Sequence, residues 1–223
     1  MLMSRRAVLG TILGGLGGYG LMRGRPALAT PELAVPSTLP VETLDFDKTA
    51  IDGWTTVEGK WVVEDMPGAP SGSRVLVQRA VKNQFNVILT PLGPYSDIDV
   101  SMKFKPISGK EDASGGIVFR FSQGRYYVVR ANALEDNVRL YFYDRDRRQI
   151  ATKNVKAPPL GQWHTLRVVT VEDRMQAWLN GQLCLEHRDA RLKSGRVGLW
   201  TKADSVTAFD DLTIRGVKRG ESP

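Results

Sequence analysis

From Leu44 onward, apolar residues recur at every second position in short runs, and no stretch sustains a helical period. Asp99-Val100-Ser101-Met102-Lys103-Phe104-Lys105 alternates strictly, with Val100, Met102 and Phe104 on one face. Ile117, Phe119 and Phe121 alternate with Val118 and Arg120, and Val138, Leu140 and Phe142 with Arg139, Tyr141 and Tyr143. A period of two puts successive side chains on opposite faces of a strand. Gly, Pro, Asn and Asp punctuate the runs roughly every 8 to 12 residues, the spacing of antiparallel strands joined by tight turns. Asn180-Gly181 separates two such runs, and both positions of a type I′ hairpin turn need positive φ. About a dozen strands of this kind predict an all-β sandwich of two antiparallel sheets.

Residue counts exclude several chemistries. One cysteine forms no internal disulfide, and two histidines cannot build a three-histidine zinc site. The formal charge of +7 falls to +3 once residues 1–29, with four arginines and no acid, are set aside. A domain so nearly balanced carries no electrostatic case for nucleic acid.

Those first residues read as an address. Arg5-Arg6 precedes a glycine-interrupted apolar stretch, Ala7 to Met22, and Ala27-Leu28-Ala29 has the form of a cleavage site. The expectation is a twin-arginine signal peptide over 1–29, marked by Arg5, Arg6, Ala27 and Ala29. The Tat translocase is then a partner during export, the mature protein works in the periplasm, and no permanent membrane anchor remains. Pro31, Pro36 and Pro40 make 30–43 a linker, 44–217 the sandwich and 218–223 a tail.

Several segments resemble one family. They are Trp61-Val62-Val63 with Val75-Leu76-Val77-Gln78, the run Gly115 to Arg120, the run Tyr126 to Tyr141, Gly161-Gln162-Trp163-His164-Thr165-Leu166, the run Gly195 to Ser205, and Phe209-Asp210-Asp211. Together they resemble the bacterial 3-keto-disaccharide hydrolase domain family. The resemblance implies a concanavalin A-like jelly roll and a carbohydrate ligand, either bound as a glycan or cleaved as a 3-keto-glycoside. A non-catalytic structural or interaction domain is the third reading.

The alternating E-x-D-x-x-E of retaining glucanases on such folds is absent, so their paired-carboxylate chemistry is not expected. Counting by two along the strands gathers Arg120, Arg130, Asn132, Arg139, Tyr141, Trp200 and Lys202 as an exposed polar and aromatic face. Cations and an amide donate to sugar hydroxyls while rings pack on C–H faces, so this set is the expected binding surface. Trp200 is expected to project from its solvated side. Cleaving a 3-keto-glycoside by elimination needs one base and one electrophilic stabiliser. Glu135 or Asp204 is the candidate base, and Arg130 or Lys202 the stabiliser. Glu135-Asp136 is expected in the turn between Leu134 and Val138, with diverging side chains. No cofactor is required; a structural Ca²⁺ is a further candidate, with Asp45, Asp47, Asp210 and Asp211 as its oxygen ligands. Cys184 and His187 fall on opposite faces of one strand, which argues against a dyad. His164 is expected to hold a loop, and Arg145-Asp146-Arg147-Arg148 to be a solvated hairpin tip.

Overall fold

Residues 31–48, 51–82 and 84–219 are described by the computed structural model, and the expected signal peptide lies outside them. The described residues contain fifteen strands and no helix. In chain order they are β1 Val41–Leu44, β2 Thr55–Glu58, β3 Trp61–Asp65, β4 Arg74–Gln78, β5 Phe85–Leu89, β6 Tyr95–Ser108, β7 Ser114–Ser122 and β8 Arg125–Asn132. There follow β9 Glu135–Asp144, β10 Asp146–Asn154, β11 His164–Val171, β12 Arg174–Leu179, β13 Gln182–Arg188, β14 Arg196–Lys202 and β15 Val206–Lys218.

Two antiparallel sheets result. The first runs β13-β12-β11-β6-β15-β4-β3, with β1 also paired to β15; the second runs β10-β9-β8-β7-β14-β5-β2. Between them lies the main core. Val100, Met102 and Phe104 of β6 meet Ile117, Phe119, Val129, Leu140 and Leu199 of the second sheet. These are residues of the alternating pattern, and the burial of β6 alternates as its sequence does. The turn at Asn180-Gly181 has positive φ at both residues, 51° and 80°, and joins β12 to β13 as expected.

Three boundaries differ from expectation. The stretch 30–43 is more than a linker: Leu33 and Val35 are buried, the Leu33 amide donates to Gln176 Oε1 at 2.6 Å, and Val41–Leu44 is a strand on β15. Leu33 and Val35, apolar residues between Pro31 and Pro36, supply the reason: they give the segment a face to bury. Glu135 and Asp136 open β9 rather than forming the turn, which falls on Ala133–Leu134. Their side chains do diverge: Glu135 meets Arg130, and Asp136 accepts from the Ala157 amide at 3.0 Å. The basic hairpin tip is also not simply solvated, because Arg147 lies across two rings of the second sheet.

That arginine reveals curvature. Its guanidinium sits 4.9 Å from the Phe85 ring and 4.5 Å from the Tyr141 ring. β10 and β5 are five strand spacings apart, about 24 Å in a flat sheet. The second sheet therefore curls, and its outer face is concave.

Candidate functional site

Register carries the expected residues onto that concave face. One cross-strand row reads Thr152, Arg139, Arg130, Gly116, Trp200, Val87, Glu58. A neighbouring row brings Tyr141 beside Val128, Val118 and Gly198. Asn132 pairs with Ser114, and Lys202 with Phe85. Arg130, Asn132, Arg139, Tyr141, Trp200 and Lys202 thus share one face. Gly116 stands between the Arg130 cation and the Trp200 ring, where an added Cβ would come within 2.9 Å of the Val129 carbonyl oxygen.

Arg120 is the exception and a correction. Two steps from Val118, it should have joined the face, but pairing shifts between Phe119 and Ser122 and Arg120 takes φ of 52°. A bulge reverses the alternation beyond it. Phe121 reaches the concave side, stacked on Tyr126, while Arg120 turns inward at 1% exposure. There its guanidinium donates to Leu192 O, Ser96 O, Thr170 Oγ1 and Glu172 O at 2.6–3.3 Å.

The face has two halves. Its polar half centres on Arg130, 2% exposed, which donates to Asn137 Oδ1 at 2.6 Å, Glu135 Oε2 at 2.9 Å and the Tyr141 hydroxyl at 3.3 Å. Arg139 shares both Glu135, at 2.9 Å, and Tyr141, at 3.3 Å. Burial works against ionisation of Glu135, but Asn137 and the two arginines outweigh it and hold the carboxyl below its usual range. Arg130 Nε, Arg139 Nε and Asn132 Nδ2 are buried without an acceptor. Unpaired buried donors are costly, and three of them lie on this one face.

Asp112 completes this half, and sequence reasoning missed it. It is 2% exposed and accepts from the Ser114 hydroxyl and, at 3.0 Å, the Ser205 hydroxyl, with Lys202 Nζ 3.9 Å from its other oxygen. Burial pushes its pKa up, against those hydroxyls and the Arg130 and Lys202 charges. The one sequence signal was an acid two residues before Ser114, at the mouth of a glycine-rich strand. Asp204 has a different task. Its carboxylate accepts from the amides of Lys110, Glu111 and Asp112 at 2.7–3.0 Å, pinning the loop that presents Asp112. Despite some desolvation, those amides lower its pKa, which makes it a weak base.

The aromatic half surrounds Trp200, which does not project into solvent as expected. It is wholly buried, stacked on Phe85 at 5.9 Å within a second cluster that includes Val87, Val118, Tyr126, Val128 and Tyr141. The curl of the sheet, which alternation does not encode, encloses it.

Two of the four acids considered for calcium, Asp47 and Asp210, meet one loop. Asp47 accepts from the Ser73 and Arg74 amides, and Asp210 from the Ser71 amide and hydroxyl at 2.9 Å. Asp45 caps the Lys48 amide, and the Asp211 amide donates to Asp210. Among the described residues no three His, Cys, Asp or Glu side chains are grouped to hold a metal ion. His164 is bound by Pro159 O and Asn180 Nδ2, the loop-holding role expected, and Cys184 is buried.

Fold and site together define a jelly-roll domain with a polar and aromatic concave face. Similar solved structures include carbohydrate-binding module CBM66 from Bacillus subtilis, at 20% identity and TM-score 0.64, covering 74% of this chain and 96% of the module. A protein described as a putative glycosyl hydrolase, from Parabacteroides distasonis, matches at 14% identity and TM-score 0.53, with 78% and 92% covered. The carbohydrate recognition domain of Emp47p matches at 12% identity and TM-score 0.55, with 82% and 99% covered. No curated protein matches the chain. The chain belongs to the 3-keto-alpha-glucoside-1,2-lyase-like domain family, whose model matches residues 42–215.

Proposed function

We propose that the concave face binds a glycoside oxidised at C3 and that its polar half cleaves it by elimination. The observation that carries this reading is the set of buried, unpaired donors on Arg130, Arg139 and Asn132, gathered beside a carboxyl of raised pKa. The family match supports the substrate class.

In such a substrate the ketone acidifies the C2–H bond. A carboxylate takes that proton, the electron pair forms the C1=C2 double bond, and the C1–O bond breaks. The proton then leaves on the departing alcohol, so one group serves as base and acid in turn. Asp112 suits the task better than either acid expected from sequence, because raising a carboxyl toward neutrality strengthens it as a base. Arg130 and Lys202 stabilise the negative charge that builds on the ketone oxygen. Glu135 holds the two arginines in place, and Asp204 positions the Asp112 loop.

Pure protein incubated with a 3-keto-glucoside and its unoxidised counterpart, followed by mass spectrometry, tests the proposal. The ketone alone should be cleaved, and Asp112→Asn should remove the activity. Equal cleavage of both, or of neither, contradicts it. We also propose periplasmic work after export, supported by Arg5-Arg6 and Ala27-Leu28-Ala29. The exported protein should begin at Thr30, and normal export of the double variant Arg5→Lys, Arg6→Lys would contradict Tat transport.

A further inference from the structure

The aromatic half of the face has no part in proton transfer, yet it is open to solvent beside Trp200. A groove of about 480 Å³ runs there, walled by Phe85, Val87, Phe121, Tyr126, Tyr143 and, at its rim, the 47%-exposed Val57. Its rings are aligned. Phe121 and Tyr126 lie 5.6 Å apart at 20°, Tyr126 and Tyr143 4.8 Å apart at 13°. Phe85 closes the far side edge-on to Tyr143, 5.8 Å away.

The groove offers little to a hydroxyl-rich ring. Apart from the two tyrosine hydroxyls, its polar side chains are Glu58 and Gln84. Gln84 already donates to Asn86 Oδ1 at 2.9 Å, and the Tyr126 hydroxyl is a hydrogen-bond partner of Trp200. A second sugar would have few polar partners there beyond the Glu58 carboxylate and the Tyr143 hydroxyl. Phe121, Tyr126 and Tyr143 face one another, so a flat apolar group would instead meet their edges and the Val57 and Val87 side chains.

We propose that this groove is an aglycone subsite for an aromatic ring, so that the substrate is an aryl glycoside rather than a disaccharide. The inference rests on the proposed function only in taking the polar half as the sugar's place. Trp200 and Arg130 belong to one cross-strand row with Gly116 between them, so a glycosidic bond above Gly116 directs the sugar one way and the aglycone the other.

The test titrates phenyl, methyl and glucosyl 3-keto-glucosides, with unoxidised phenyl glucoside alongside, by calorimetry into the Asp112→Asn protein, which holds the ligand without turning it over. The phenyl compound should bind at least about tenfold more tightly than the methyl one. Val57→Trp, which fills the groove without removing any wall, should abolish that advantage and leave methyl binding unchanged. Phe121→Ala should act in the same direction. Equal affinity for phenyl and methyl, or preference for the glucosyl compound, overturns the subsite. Ketone against unoxidised sugar, at constant phenyl aglycone, reports separately on the proposed function.

Discussion

Arg120 and Arg130 are ten residues apart, both essentially without solvent exposure, and both expected on one face. Their surroundings differ in kind. Arg120 meets three carbonyl oxygens and one hydroxyl, with the Asp97 carboxylate 3.9 Å away, and has no orphaned nitrogen. Arg130 has a carboxylate, an amide oxygen and a phenol, and its Nε lacks an acceptor. One cation ties the two sheets together at the sandwich end; the other is held ready with a donor to spare. Burial alone does not separate a structural charge from a functional one. The two arginines differ in the completeness of their hydrogen bonding.

The sharpest way to break this contrast is Arg120→Ala. It leaves four buried acceptors unmatched and should cost about 3–5 kcal/mol of stability. For a domain of this size a thermal melt resolves that as a fall on the order of 10 °C. A melt unchanged from wild type would show that Arg120 contributes nothing to the frame.

Trp200→Ala comes next. The ring is fully buried against Phe85, but the groove beside it leaves room for relaxation, so the cost should be about 3 kcal/mol, toward the low end for large aromatic truncations. A change below about 1 kcal/mol would return Trp200 to the solvated surface that alternation suggests.

Asp112→Asn should have the smallest effect on stability and the opposite sign. A folded-state carboxyl pKa above the unfolded value gives stability that is fully present below the unfolded pKa and lost as pH rises through the folded one. At neutral pH the group therefore lowers stability, and asparagine should stabilise by about 1 kcal/mol while ending turnover. Glu135 and Asp204 carry lowered values, so their contribution is present above the ordinary carboxylate range and fades on acidification. Denaturant melts between pH 4 and 8 would separate the two signs. A destabilised Asp112→Asn at neutral pH contradicts the assignment of a strained base.

The alternation of β6 through β9 made both the sandwich and the concave set legible, because a period of two survives as long as pairing is regular. Six of the seven residues counted onto the face share it: Arg130, Asn132, Arg139, Tyr141, Trp200 and Lys202. Arg120 escaped because a bulge is a local backbone choice that leaves side-chain parity readable only up to its start. Asp112 escaped for another reason. Its burial depends on Asp204 and Ser205, about ninety residues downstream, and no local pattern records that encounter. The enclosure of Trp200 likewise follows from the curl that brings Arg147 to Phe85.

The proposed function gives Arg130 to a ligand and Arg120 to the fold. It is tested by calorimetric titration of a 3-keto-glucoside into the Asp112→Asn protein, alone and combined with Arg130→Ala or Arg120→Lys. The Asp112→Asn parent and its folded Arg120→Lys derivative should bind alike, whereas the Arg130→Ala derivative, with Glu135 still paired to Arg139, should stay folded and lose affinity by about a hundredfold, the scale of a charge-assisted contact. Undiminished binding by Arg130→Ala would contradict the account.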